Sequence, residues 1–212
     1  RMDRAFARRT VLKGGLAAGL GLTLPVRALA QDAVATGASA SPLTPYERRV
    51  LDVAAAQVQR VGDKVWRSDL VGIADFAQPS WKPRLHFANL EAGTVRSFLL
   101  AHGKGSDPQH SGWLQSFSKV PGSEATSRGA YLTCEWYKGK YGTSIRLVGL
   151  DSDNSTALER AIVMHPAWYV DQAMIEKWGK LGRSNGCIVF SKKDLATFLK
   201  DVPRRTLVYV GK

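Results

Sequence analysis

Short apolar segments separated by glycine-containing turns run from residue 70 to the end of the chain, and this pattern restricts the fold more than any other feature. Strands are predicted at 71–76, 84–89, 94–100, 131–137, 143–150, 161–165 and 206–210. The turns at 91–93 and 138–142 each join two of these segments, which is typical of β-hairpins. About seven strands with a few short helices indicate a mainly β domain.

A helix is predicted at residues 45–61, ahead of the strands. Thr44 is a suitable N-cap, Pro45 takes the first helical position, and Glu47 completes a capping box. Apolar residues recur along one face, and Gly62 follows the last of them. The sequence therefore predicts an amphipathic helix over 45–62 that packs against a domain over 63–212.

The first 44 residues have the composition of an export signal followed by a linker. Arg8 and Arg9 precede an apolar stretch, and residues 28–30 form a small-x-small cleavage site. These features predict a twin-arginine signal peptide over residues 1–30, cleaved after Ala30, and a periplasmic protein that meets the membrane only during export. An uncleaved membrane-anchoring helix is the alternative. Residues 31–44, rich in Ala, Ser, Gly and Thr, are predicted to be a flexible linker.

The chain is basic, with a formal net charge of +12. Such a charge suits an acidic polymer, a membrane surface or nucleic acid. Nucleic acid is not predicted as a partner, because the basic residues are scattered and form no stripe interleaved with aromatic residues. The cysteines and histidines lack metal-binding spacing, and no nucleotide motif is present, so neither a metal nor a cofactor is predicted.

One loop combines the features expected around a nucleophile. Residues 182–187 are polar and glycine-rich, end at Cys187, and precede an apolar segment. A glycine beside a nucleophile allows close approach of a substrate and frees N–H groups for a developing oxyanion. His165 ends the predicted strand at 161–165, and a cysteine with a histidine distant in sequence is the minimum set for thiolate catalysis. Both residues also fit a buried structural role, which free cysteines often have.

Five segments, in this order, resemble the L,D-transpeptidase catalytic domain of the YkuD superfamily, in its murein L,D-transpeptidase branch. They are LLAHGKGS (99–106), SRGAYLT (127–133), YGTSIRLVGLD (141–151), RAIVMHPAWYV (160–170) and GRSNGC (182–187). The resemblance covers residues 75–209. It implies a β-sandwich-like catalytic domain, here preceded by the 45–62 helix.

The resemblance assigns catalytic roles to four residues. Cys187 matches the nucleophile, and His165 matches the general base that takes its proton. The main-chain carbonyl of Pro166 matches the group that orients the histidine. The N–H groups of Gly186 and Cys187 match the donors to the tetrahedral intermediate.

Other residues near these positions are predicted to bind substrate. Asn185 stands where the superfamily pattern has a histidine, and Val189 stands where it has an arginine. We therefore expect Arg183 to bind a substrate carboxylate, because a guanidinium suits bidentate carboxylate recognition. The predicted substrate-binding set is Arg183, Ser184, Asn185, His102, Ser127 and Tyr131. A purely structural role is the open alternative for Ser184, His102, Ser127 and Tyr131.

The resemblance implies an exported enzyme of peptidoglycan metabolism. The Cys187 thiolate would be acylated by a donor stem peptide, and a diaminopimelate amine of an acceptor stem would then take the acyl group, which gives a 3–3 or a 1–3 cross-link. Two alternatives remain open. One is hydrolysis of stem peptides by an L,D-carboxypeptidase or endopeptidase, and the other is a non-catalytic wall-binding module of the same fold.

Overall fold

A single mixed β-sheet organises residues 42–212, the part of the chain that the computed structural model describes. The predicted signal peptide (1–30) and most of the predicted linker (31–44) lie outside the described residues. Within them, the sheet has nine strands rather than the seven predicted, and three α-helices flank it. The prediction of a mainly β domain with short helices is confirmed.

The helices are α1 (Pro45–Val61), α2 (Gln172–Trp178) and α3 (Leu195–Asp201). The strands are β1 (Leu70–Asp75), β2 (Leu85–Asn89), β3 (Thr94–Phe98), β4 (Leu100–Ala101), β5 (Gly129–Gly139), β6 (Gly142–Gly149), β7 (Val163–Ala167), β8 (Ile188–Ser191) and β9 (Leu207–Gly211). Their order across the sheet is β3-β2-β1-β9-β5-β6-β7-β8-β4.

The two edges of this sheet come together, because consecutive strands form them. The predicted strand at 94–100 is interrupted at Leu99, so that β3 pairs with β2 and β4 pairs with β8. Only one residue separates the end of β3 from the start of β4. Consecutive Cα atoms lie about 3.8 Å apart, so the sheet curves until its first and last strands are neighbours. This closure gives the sandwich-like arrangement that was predicted.

The main hydrophobic core fills the inside of the curved sheet. Phe198 of α3 is fully buried there, stacked on Phe190 of β8 at 3.9 Å between ring centroids. Its ring also meets Phe87 of β2 edge-on at 5.2 Å. One aromatic cluster therefore joins strands from opposite ends of the strand order.

Helix α1 covers the outer face of the sheet, and its predicted boundaries and capping box are confirmed. Its buried face, which includes Val50 and Ala54, packs against β1, β2, β3 and β9. The Tyr46 hydroxyl donates a hydrogen bond to Asp75 Oδ2 at 2.7 Å. Residues 42–212 contain no helix with the length and apolar character needed to cross a membrane.

Candidate active site

The pairing of β7 with β8 brings the two predicted catalytic side chains to one groove. The strands run parallel with His165 opposite Val189, and Cys187 lies directly before β8. Both Cys187 and His165 line an open groove of about 410 Å³. The other lining residues are Lys140, Tyr141, Pro166, Ala167, Trp168, Tyr169, Arg183, Ser184, Asn185 and Lys192.

The imidazole of His165 is held in the form that can accept a proton. Its Nδ1 lies 3.1 Å from the carbonyl oxygen of Pro166. A carbonyl only accepts hydrogen bonds, so Nδ1 carries the hydrogen and Nε2 keeps its lone pair. Burial lowers the pKa of His165 below its ordinary value, so the ring is neutral at pH 7. The ring of Tyr141 stacks on it, with centroids 4.6 Å apart and planes inclined by 16°.

The thiol of Cys187 is nearly buried, with 6% of the residue exposed. Its Sγ lies 3.9 Å from the carbonyl oxygen of Ala161, and within the described residues no hydrogen bond joins it to His165. Burial raises the pKa of the Cys187 thiol, while a hydrogen bond from the Val163 backbone and the charge of Arg160 oppose that rise. The thiol is therefore protonated at rest, and a base must remove its proton before attack.

The loop before Cys187 is held by Ser184. The Ser184 Oγ donates to the carbonyl oxygen of Cys187 at 2.8 Å and accepts from the Gly186 N–H at 3.1 Å. The Gly186 N–H, predicted to serve the oxyanion, thus already has a partner. The Cys187 N–H forms no hydrogen bond within residues 42–212 and is the donor that remains for an oxyanion. The structural alternative for Ser184 therefore fits its contacts, although the residue also lines the groove.

Gly186 has a conformational role that only glycine can fill. Its φ is +110°, and a Cβ at this position would lie 2.7 Å from the carbonyl oxygen of Ala125. A side chain would therefore strain the backbone and also collide with the neighbouring segment. The close approach fixes Cys187 against the residues beneath the groove.

Arg183 and Asn185 lie at the groove, as their predicted role requires. The Nη1 atom of Arg183 donates to the carbonyl oxygens of Asp107 and Pro108, the second at 3.2 Å. These bonds fix one end of the guanidinium on the backbone. Its other nitrogen atoms form no hydrogen bonds with the described residues, so they can meet a ligand.

His102 does not reach the groove, and its predicted contact with substrate is wrong. The residue is 1% exposed. Its Nδ1 accepts from Arg84 Nη2 at 2.8 Å, and its Nε2 lies 3.3 Å from Asp107 Oδ2. Both ring nitrogen atoms are therefore occupied in a buried Arg84–His102–Asp107 network. The carbonyl of His102 supports residues 182–187, the predicted nucleophile loop, because it accepts from the Ser184 N–H at 2.8 Å.

Ser127 and Tyr131 are also buried away from the groove, which contradicts their predicted substrate contacts. Neither residue is more than 1% exposed. The Tyr131 hydroxyl donates to the carbonyl oxygen of Ser127 at 2.9 Å. The Ser127 hydroxyl accepts from Arg160 Nη1 at 2.9 Å. Both residues build the support under the nucleophile loop, which is the structural alternative.

A sequence model of the L,D-transpeptidase catalytic domain matches residues 44–210, from the N-cap of α1 to the last strand. The chain belongs to the L,D-transpeptidase catalytic domain family. No curated protein matches the sequence.

Several solved L,D-transpeptidase structures resemble the chain at low sequence identity. One from Mycobacterium smegmatis shares 14% identity with a TM-score of 0.42, over 68% of this chain and 59% of that one. Another from Mycobacterium tuberculosis, in complex with a faropenem-derived adduct, shares 13% identity with a TM-score of 0.44, over 68% of this chain and 60% of that one. A third, from Xylanimonas cellulosilytica, shares 14% identity with a TM-score of 0.42, over 74% and 68%. The chain thus spans 59–60% of the length of the two mycobacterial structures.

Part of the groove in this L,D-transpeptidase domain was not predicted. Tyr141 lies at the tip of the β5–β6 hairpin and Trp168 follows β7, where it is 68% exposed. Lys140 and Lys192 add positive charge, whereas no acidic residue lines the groove. Tyr141 and Trp168 both occur in segments that carry the family resemblance, and the cluster of aromatic residues after His165 was the available signal. The sequence alone does not show that Tyr141 and Trp168 are at the groove, because that depends on where the β5–β6 hairpin lies relative to the end of β7.

The described residues of the domain contain no cluster of His, Cys, Asp and Glu that could hold a metal ion. Cys134 and Cys187 are both free. The groups at the groove are thus a thiol, a neutral imidazole, one open backbone N–H and three cationic side chains (Lys140, Arg183 and Lys192). In such a set, the thiol can attack a carbonyl and become acylated, and the cationic side chains can bind anionic groups nearby.

Proposed function

We propose that the chain is a cysteine L,D-transpeptidase that acts on the stem peptides of peptidoglycan. The observation that carries this proposal is the presence of Cys187 and His165 in one open groove, with the His165 Nδ1 hydrogen bonded to the Pro166 carbonyl. Family membership supports the same reaction class. Thiol and imidazole meet the chemical need for a nucleophile and a base.

In the first half of the reaction, His165 Nε2 takes the thiol proton as a donor stem peptide enters the groove. The Cys187 Sγ attacks the carbonyl carbon of an amide that follows an L-configured centre, and the Cys187 N–H donates to the oxyanion. The C–S bond forms, the C–N bond breaks, and the amine leaves with the proton held by His165. The product is a thioester between Cys187 and the shortened donor.

In the second half, a diaminopimelate amine of another stem attacks the thioester carbonyl. His165 takes a proton from this amine, a new C–N bond forms and the C–S bond breaks, and His165 then returns the proton to the leaving sulfur, which regenerates the thiol. The same thioester would give a shortened stem if water attacked instead of the amine. The amount of water that reaches the groove thus decides between transfer and hydrolysis.

The charges of the groove favour an anionic substrate. Arg183, Lys140 and Lys192 all line it, without an acidic residue among the lining side chains. Stem peptides carry free carboxylates, which guanidinium and ammonium groups bind well. We assign Arg183 to the donor carboxylate, since one of its nitrogen atoms is already fixed by the Asp107 and Pro108 carbonyls.

Export belongs to the same proposal. Arg8 and Arg9, the apolar stretch and the site at 28–30 support passage by the twin-arginine route with cleavage after Ala30. The mature protein would then work in the periplasm, where peptidoglycan is accessible. An N-terminus other than Gln31 on the protein recovered from the periplasm, or recovery only from the membrane, would contradict this step.

The test is incubation of the purified protein with di-, tetra- and pentapeptide muropeptides, followed by mass spectrometry of protein and products. We expect the mass of a donor peptide on the wild-type protein and cross-linked dimers among the products. Cys187→Ala should show neither, while the control Cys134→Ala should show both. Shortened stems without dimers would instead identify a hydrolase. An unmodified wild-type protein that retains peptidoglycan would identify a wall-binding module.

A further inference from the structure

The guanidinium of Arg160 is a partly buried cation that pairs with no carboxylate among the described residues. Its Nη1 donates to the carbonyl oxygen of Ser118 at 2.8 Å and to Ser127 Oγ at 2.9 Å. Its Nη2 donates to the carbonyl oxygen of Ala125 at 2.6 Å. These acceptors are neutral, so they orient the guanidinium without cancelling its charge. Fully buried charges are normally paired, so even a partly buried cation without a carboxylate partner is a candidate for function.

The guanidinium lies directly behind the nucleophile loop. A Cβ on Gly186 would be 3.0 Å from Arg160 Nη2 and 2.7 Å from the Ala125 carbonyl that accepts from it. Gly186 immediately precedes Cys187 in the chain. Because Gly186 has no side chain, the guanidinium of Arg160 can lie close to the backbone of the loop.

The backbone next to Arg160 also contacts the sulfur. The carbonyl oxygen of Ala161 lies 3.9 Å from Cys187 Sγ. Ala161 has a φ of +51°, which a non-glycine residue adopts only when its surroundings enforce it. The Arg160 N–H donates to the Thr156 carbonyl at 2.9 Å, and the Ile162 N–H donates to the Ala157 carbonyl at 2.9 Å. These bonds fix the turn on both sides of Ala161 and hold the guanidinium at the loop.

The other groups packed around Cys187 are mostly uncharged at neutral pH. His165 is neutral because burial lowers its pKa. Tyr131 on β5 and Tyr169 after β7 are neutral as phenols ordinarily are at this pH, and burial raises the pKa of each phenol further. Lys140, Arg183 and Lys192 line the open groove, where solvent screens their charges. The Lys104 N–H donates to the Ser184 carbonyl, and the Lys104 ammonium pairs with Glu124 at 2.9 Å. Arg160 lowers the pKa of the Cys187 thiol against the effect of burial.

We propose that Arg160 is a positioning residue, which locks the 118–127 segment beneath the nucleophile loop and supplies the positive charge that favours the Cys187 thiolate. The inference rests on the proposed function, because a Cys187 thiolate is needed only if Cys187 is the nucleophile of the reaction. A buried sulfur without a nearby cation would lose its proton only at high pH. With Arg160 in place, transfer of the proton to His165 costs less.

The test measures the ionisation of the thiol itself, without any peptidoglycan substrate. A Cys134→Ala background leaves Cys187 as the only cysteine of the chain. The rate of alkylation by iodoacetamide is then followed against pH. Arg160→Gln removes the charge but keeps a donor for one carbonyl, and Arg160→Lys keeps the charge. Arg128→Gln is the control, because Arg128 is one residue from Ser127 but is exposed and bonded to Asp153.

We expect the midpoint of alkylation in Arg160→Gln to move at least about one pH unit upward, with the rate at pH 7 reduced about tenfold for each unit. Arg160→Lys should stay within about one unit of the wild type, and Arg128→Gln should match it. Near-ultraviolet circular dichroism confirms native packing. An unchanged midpoint in folded Arg160→Gln would overturn the proposal. If that variant does not fold, a shift of more than about one unit in Arg160→Lys would overturn it equally well, and a smaller shift would support it.

The two proposals can fail separately. Loss of transpeptidation in the wild type, together with the expected shift in Arg160→Gln, would remove the enzyme assignment and leave the role of Arg160 intact. Normal transpeptidation by the wild type, together with an unchanged midpoint in Arg160→Gln, would support the enzyme assignment and remove the role of Arg160. A merely structural role of Arg160 would lower stability without moving the midpoint of the folded protein.

Discussion

The buried side chains of Arg84, His102 and Asp107 support the active site although none of them lines its groove. Arg84 donates to the carbonyl oxygen of Leu100, to that of Gln78 and to His102 Nδ1. Since a guanidinium only donates, the His102 hydrogen is on Nε2 and points at Asp107. Burial, together with the charge of Arg84, lowers the pKa of His102 to about 3. The imidazole is therefore neutral in the folded protein under all mild conditions.

The low pKa of His102 predicts that acid destabilises the fold at pH values well above the ordinary pKa range of carboxylates. An unfolded chain binds a proton at His102 below about pH 6.5, whereas the folded chain does so only near pH 3. The stability contributed by neutral His102 is therefore complete above pH 6.5 and is lost progressively as pH falls towards 3. The free energy of unfolding, measured by urea titration between pH 7 and pH 4, should fall by up to about 1.4 kcal/mol per pH unit from this group.

The matched variant for this measurement is His102→Gln, which keeps an acceptor and a donor but does not titrate. It should be less stable than the wild type at pH 7, because one member of a buried network has changed. Its stability should also fall less steeply between pH 6 and pH 4. Parallel pH profiles for the two proteins would show that His102 is not the titrating group.

At the residue scale, sequence reasoning located the thiol and the imidazole of the groove but not the residues that support them. Cys187 and His165 were found because a nucleophile after a glycine and a histidine at a strand end are local signals. His102, Ser127 and Tyr131 lie in segments that carry the same family resemblance, yet all three are buried. Burial depends on which loops pack together, and no spacing along the chain records that. Arg160 was missed for the same reason, since its partners are 33–42 residues away in sequence.

At the element scale, the 102–106 segment is held between two other loops. The N–H of Ser184 donates to the His102 carbonyl, and the N–H of Lys104 donates to the Ser184 carbonyl, both at 2.8 Å. On the other side, the Gly103 N–H donates to Thr126 Oγ1 at 2.9 Å. A Cβ on Gly103 would lie 2.8 Å from the Gly186 Cα and would also meet the Glu124 carbonyl oxygen. The three segments are therefore closer at Gly103 than any side chain allows.

We expect Gly103→Ala to separate these loops and disturb the nucleophile. The backbone of Gly103 has an ordinary φ of −72°, so the effect is steric rather than torsional. The variant should lose about 1–3 kcal/mol of stability, as overpacked sites do, and its Cys187 should change in alkylation rate. Gly93→Ala is the control: it has a positive φ of 61°, open space around it and no contact with the site. If both variants were destabilised alike and neither changed the alkylation rate, close packing at Gly103 would not govern the loop.

The type of most elements could be predicted, but their arrangement could not. Helix α1 begins and ends where its capping box and Gly62 indicate, because those signals act within a few residues. The order of the strands depends instead on distant pairings, such as β1 with β9 and β4 with β8. The break at Leu99 is an example, because residues 94–100 were predicted as one strand. Only the partners of β3 and β4 show that it is two.

At the scale of the whole molecule, closure of the sheet makes the active site depend on a distant core. β7 and β8, which carry His165 and position Cys187, lie near the edge of the sheet that meets β3. Phe198 packs between that edge and β2, with Phe190, Phe87 and Phe98 around its ring. Because one aromatic cluster connects both ends of the strand order, the described domain should unfold as a single unit.

Truncation of Phe198 tests this connection. Phe198→Ala should lower the free energy of unfolding by about 3–5 kcal/mol, because a fully buried phenyl ring is lost and a cavity remains. Leu199→Ala on the same helix is the matched control: Leu199 is 44% exposed, so a loss below about 1 kcal/mol is expected. Unfolding in urea, followed by circular dichroism and by protection of Cys187 from alkylation, should give one coincident transition for each protein. If Cys187 instead reacted at a lower urea concentration than the one at which secondary structure is lost, β7 and β8 would unfold separately from the rest of the sheet. The core around Phe198 would then not stabilise the groove.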